Sequence, residues 1–67
     1  GFIIVNREWP APIRLEMGKG TFGMTAGEAW RRHVGPNHNH GPEFSAIVQR
    51  WSDKGYGPAK ATIALAA

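Results

Sequence analysis

Between Pro42 and Gly55 the chain reads PEFSAIVQRWSDKG, and this stretch limits the possible folds more than any other. Phe44, Ile47, Val48 and Trp51 recur at i, i+3, i+4 and i+7, the narrow apolar stripe of a helix that must face a core. Pro42 suits the first turn, Glu43 complements the helix dipole there, and Gly55 supplies a left-handed stop. Gln49, Arg50, Asp53 and Lys54 take the remaining surface. The pattern predicts a helix over 43–54, and the rest of the chain has to supply what it packs on.

There is little chain to supply it. The sequence has 67 residues and no cysteine, so no disulfide reinforces the fold. Ordering a chain of this size costs on the order of 100 kcal/mol, at roughly 1.5 kcal/mol per residue, and a small core offsets that only narrowly. Three tryptophans are large enough to anchor such a core, or one of them can stand exposed as a docking residue.

The first third reads as strand. FIIV at 2–5 is β-branched and apolar, and PIRLEM at 12–17 alternates, with Ile13, Leu15 and Met17 on one side and Arg14 and Glu16 on the other. Pro10 and Pro12 mark a turn or a sheet edge between them. GKG at 18–20 suits a hairpin turn, and TFGM offers a short third strand with Phe22 and Met24 on one face. TAGE at 25–28 is a capping-box pattern: Thr25 accepts from the Glu28 amide and Glu28 reaches back to the Thr25 amide. A helix over 26–34 should follow and stop at Gly35–Pro36, with His33 on its apolar side. After Gly55, Pro58 can open a third, alanine-rich helix over 58–66.

These readings converge on an α+β fold in a single small domain, residues 1–67. An N-terminal β-hairpin or small meander spans about 2–24, followed by two or three short helices. Ile3, Val5, Ile13, Leu15, Trp30, Phe44, Ile47, Val48, Trp51 and Ile63 are the expected core.

Eight Lys and Arg against five Asp and Glu give a formal charge of +3, which permits an anionic partner without requiring one. The 43–54 helix, the glycine turn and the expected 58–66 helix have the outline of a helix-turn-helix. On that reading Arg31, Arg32, Arg50, Lys54 and Lys60 contact nucleic acid, mostly through phosphate. The expected function is therefore a small, basic, non-enzymatic binding protein. The alternative is a protein-interaction module, a regulatory or inhibitory subunit docking through exposed Trp9, Phe22 or Tyr56 or through a free edge strand.

HVGPNHNHGPEF at 33–44 supports a third reading, a small metal-binding domain. His38 and His40 alternate and can point the same way, with His33 and Glu43 as further ligands. The spacing matches no standard zinc signature, and the glycines, prolines and asparagines are those of a helix-to-helix connector. GKGT at 18–21 has phosphate-loop residue types but lacks the upstream glycine and the immediate helix. Ser45, Ser52 and Asp53 supply hydrolytic residue types with no nucleophile elbow around them. No enzyme activity, catalytic residue or cofactor is expected. The apolar runs are too short to cross a bilayer, so no membrane partner is expected, and the lack of cysteine fits a cytoplasmic setting.

Overall fold

The computed structural model describes residues 1–62, and strand β1 (Phe2–Asn6) lies at its centre. Its Ile-Ile-Val run is stiff at χ1 and favours extended backbone. It pairs antiparallel with β2 (Tyr56–Lys60), Ile3 opposite Ala59 and Val5 opposite Gly57. Between the two strands lie α1 (Ala11–Gly18), a 3-10 turn (Lys19–Thr21), α2 (Ala26–Val34) and α3 (Gly41–Asp53). The chain adopts the expected α+β class as one small domain, but the sheet is closed by a distant segment rather than by a neighbouring one.

Both edges of β1 are occupied. Toward β2 run the ladder bonds, extended by Arg7 N–H to Gly55 O at 3.0 Å and Ala61 N–H to Gly1 O at 3.0 Å. On the other edge Phe2 and Gly23 exchange backbone bonds of 2.8 and 2.9 Å. The Ile4 N–H donates to Thr21 Oγ1 at 2.7 Å, and the Thr21 hydroxyl donates in turn to Gly18 O at 2.7 Å. One hydroxyl thus ties the strand to the end of α1. Because the Ile4 amide points away from β2, Pro58, which lies opposite it, needs no N–H for the ladder.

Both faces of β1 are covered as well. Ile4 packs with Ala29 and Trp30, and Phe2, Phe44, Val48, Trp51 and Tyr56 close around them. On the opposite face α1 ends against Ile3 and Val5 at Gly18. A Cβ on Gly18 would lie 2.9 Å from both Ile4 O and Val5 Cγ1, so only glycine allows this approach. The buried Asn6 then locks the strand end to α3: its Oδ1 accepts from Glu8 N–H at 2.9 Å and its Nδ2 donates to Lys54 O at 3.2 Å. Gly55, at φ 99°, turns the chain there into β2, as the sequence anticipates.

Several expected elements change. Residues 12–17 form helix α1, not a strand. Pro12 fits a helical first turn, Arg, Leu, Glu and Met are strong helix formers, and both edges of β1 are taken, one by β2 and the other by Thr21 and Gly23. Ile13 and Leu15 are consequently exposed, as are Met17 and Met24, instead of forming core. GKG makes a 3-10 turn, and TFGM contributes only the Gly23 bridge. Residues 58–60 are strand rather than the start of a helix, because pairing with β1 satisfies their backbone. Residues 63–67, with Ile63, lie outside the described residues.

The two predicted helices at 26–34 and 43–54 are present as α2 and α3. Thr25 Oγ1 accepts from the Glu28 amide at 3.1 Å as expected. The return bond is displaced by one residue: Glu28 Oε2 accepts from the Met24 amide at 2.8 Å.

Thr21→Val keeps the side-chain shape but leaves the Ile4 N–H without its acceptor. Stability should fall by about 1–3 kcal/mol, read as a lower melting temperature by circular dichroism. An unchanged melting temperature would show that the hydroxyl does not tie strand to helix.

Candidate functional site

The α2 and α3 helices share one side of the sheet, and their cations divide into two pairs. Arg31 and Arg32, on the last turns of α2, line an open hollow of about 430 Å³ together with Gly20, Glu28, Gly35 and Asn39. Arg50, in the last turn of α3, and Lys54, its C-cap, flank a second hollow of about 230 Å³ with Ile47 and Trp51. Lys60 belongs to neither. It ends β2 beside Gly1, Phe2 and Thr62 and does not lie on a recognition helix, so the helix-turn-helix outline is absent over these residues.

Aromatic rings hold two of these cations. The Arg31 guanidinium carbon lies 5.9 Å from the centre of the Phe44 ring, bridging α2 to α3, and Lys54 Nζ lies 5.2 Å from a Trp51 ring. Such contacts orient a side chain while leaving its N–H groups free to donate. Lys19 forms the one Lys or Arg ion pair among the described residues, with Glu16 at 2.7 Å. Arg31, Arg32, Arg50, Lys54 and Lys60 therefore have no carboxylate at salt-bridge distance among those residues.

Beneath this surface His33 joins α2 to α3 and β2. Its ring centre lies 4.6 Å from Trp51, 5.3 Å from Tyr56 and 5.9 Å from Trp30. The Trp51 and Tyr56 rings meet edge-on at 5.0 Å, and Trp9 extends the cluster, 5.7 Å from Tyr56. His33 Nε2 is buried without a hydrogen-bond partner. Burial holds the His33 pKa below its ordinary value, because an imidazolium there would give up its hydration.

The other histidines have separate partners. His38 Nδ1 lies 3.2 Å from Glu43 Oε1, and His40 Nδ1 lies 3.3 Å from Asn39 Oδ1. Among the described residues no three His, Asp or Glu side chains converge as metal ligands would. The phosphate-loop residue types are also engaged elsewhere: Lys19 pairs with Glu16, and the Thr21 hydroxyl serves Ile4 and Gly18.

Trp9, Phe22 and Tyr56 are half-buried. The exposed apolar side chains are those of α1, with Ile13 44%, Leu15 51% and Met17 55% accessible, and Met24 beyond it. No helix among the described residues is long and apolar enough to cross a membrane. Sequence reading found both cation pairs but not Gly20, Glu28 and Asn39 as neighbours of Arg31 and Arg32. These residues come from the 3-10 turn, the first turn of α2 and the α2–α3 connector, and no local pattern joins them. Comparison with protein-family models, curated proteins and solved structures found no match.

The His33 environment sets the sign of a pH dependence. With the folded pKa below the unfolded value of about 6.5, the stabilisation is fully present above that pH and is lost as pH falls through the folded pKa. The melting temperature should drop on acidification from about pH 7 to 5, and His33→Phe should flatten part of that drop. An identical pH profile in the variant would rule out His33 as a source.

Proposed function

We propose that the chain is a small, non-enzymatic module that contacts nucleic acid through the cationic surface of α2 and α3. One observation carries the reading: Arg31, Arg32, Arg50 and Lys54 lie on the two helices of one layer and none is neutralised by a carboxylate among the described residues. Such groups gain most from phosphate, whose oxygens match the planar guanidinium fork. Because residues 56–60 are strand rather than a recognition helix, the contact of α2 and α3 is to backbone rather than to base edges, so sequence preference should be weak. Lys60 contributes only to a ligand long enough to reach the β2 end. A cytoplasmic setting accords with this partner and with the absence of cysteine.

Four phosphate contacts on a single strand imply a log–log salt slope of about −3, or roughly fiftyfold weaker binding at 200 mM than at 50 mM salt. Titration of a fluorescent single-stranded oligonucleotide at both concentrations measures this. Replacing Arg31, Arg32, Arg50 and Lys54 by Ala together should flatten the slope. Absence of binding at the lower concentration would end the nucleic-acid reading.

A second reading, docking on a larger protein, rests on α1. Helices apolar on several sides are normally buried, yet Ile13, Leu15 and Met17 face solvent here. Ile13→Glu with Met17→Glu should leave the melting temperature within about 2 °C of wild type, as surface changes do. A larger loss would show that these side chains are covered within the fold and unavailable to a partner.

A further inference from the structure

The hollow beside Arg31 and Arg32 contains a glycine that the fold does not require. Gly20 has ordinary backbone angles, and a Cβ placed on it would meet no atom within 4 Å. Gly35, on the same hollow, is glycine for a different reason, its φ of 96°. A residue free to carry a side chain, yet bare on a hollow that Arg31 and Arg32 both line, leaves room for a ligand to approach backbone.

The polar groups around it are of two kinds. Arg31 is steadied by Phe44, and Arg32 follows it on the same hollow. Glu28 is held in place by the Met24 amide on its Oε2, so its carboxylate is an oriented acceptor on the hollow that Arg31 and Arg32 also line, beyond salt-bridge distance of either. A bare anion satisfies the arginines but is repelled by Glu28. A ligand that carries a phosphate and nearby O–H or N–H donors satisfies all three. A volume of about 430 Å³ falls within the usual range of small-ligand sites, roughly 300–1,000 Å³.

We infer that this hollow is a ribonucleotide subsite, in which Arg31 and Arg32 take the phosphate and Glu28 accepts from a ribose hydroxyl. The inference rests on the nucleic-acid reading and narrows it from nucleic acid in general to RNA, since the 2′-hydroxyl is the donor that DNA lacks.

The test uses the full chain labelled with nitrogen-15, titrated with adenosine 5′-monophosphate, its 2′-deoxy counterpart and inorganic phosphate. Amide shifts should centre on residues 20 and 28–39, with affinity falling in that order of ligands. Gly20→Val should keep the wild-type melting temperature and weaken the ribonucleotide by about tenfold or more, as should Arg32→Ala. Glu28→Met, which keeps the length of the side chain but offers the ribose hydroxyl neither a carboxylate nor an amide, should abolish the preference for ribose. Equal affinity for all three ligands, or shifts elsewhere on the surface, overturns the inference. Titration of single-stranded RNA separates the two levels. If RNA binds wild type and Gly20→Val equally well, the subsite is wrong and the nucleic-acid reading survives. If RNA does not bind wild type at low salt, that reading falls, whatever the mononucleotide does.

Discussion

The structure depends on the burial of one strand, β1, in which every residue after Phe2 is buried. β1 has a partner on each edge and a helix layer on each face, and Ile4 at its centre is 1% exposed. Among the described residues β1 meets β2, α1, the 3-10 turn and α2. Each apolar side chain buried there contributes about 1.5–3 kcal/mol, and no backbone polar group inside can be left without a partner. Thr21 and Gly23 meet that second demand on the edge away from β2, the hydroxyl accepting from the Ile4 N–H and Gly23 exchanging bonds with Phe2. The buried Asn6 carboxamide is itself satisfied by the Glu8 N–H and the Lys54 carbonyl.

Sandwiching β1 also separates the surface into two chemistries. α1 packs on the sheet through Gly18 and leaves Ile13, Leu15 and Met17 exposed. α2 and α3 bury their aromatic sides against the opposite face and turn their cations outward. The aromatic cluster around His33 couples these two helices to β2, so the relative placement of the arginine pair and the Arg50–Lys54 pair follows from packing among Trp30, His33, Trp51 and Tyr56. A cationic face rigidly backed by aromatics can present phosphate donors without ordering them anew for each ligand, which lowers the entropy lost on binding.

The two hollows differ in what they can recognise. Arg50 and Lys54 offer charge beside Ile47 and Trp51, a surface that tolerates any polyanion. The Arg31–Arg32 hollow adds the Glu28 carboxylate, the Asn39 amide and the bare backbone at Gly20, and on the proposed reading these are the groups that would discriminate among anions.

The sequence alone determined α2 and α3, with their caps and stops, because capping residues, helical periodicity and left-handed glycines act over a few neighbouring positions. It also determined that FIIV would be a buried strand, that His33 would face inward and that the arginines and lysines of α2 and α3 would face out. Tertiary structure decided the partner of that strand. PIRLEM fits a strand pattern and a helix pattern alike, and YGPAK carries a proline and a glycine that argue against a strand. Occupation of both edges of β1, one by β2 and the other by Thr21 and Gly23, decided both, since the pairing joins residues fifty or more positions apart that no local window contains. The same long-range closure brought Gly20, Glu28 and Asn39 beside Arg31 and Arg32, which is why the cations were legible in the sequence and the hollow they line was not.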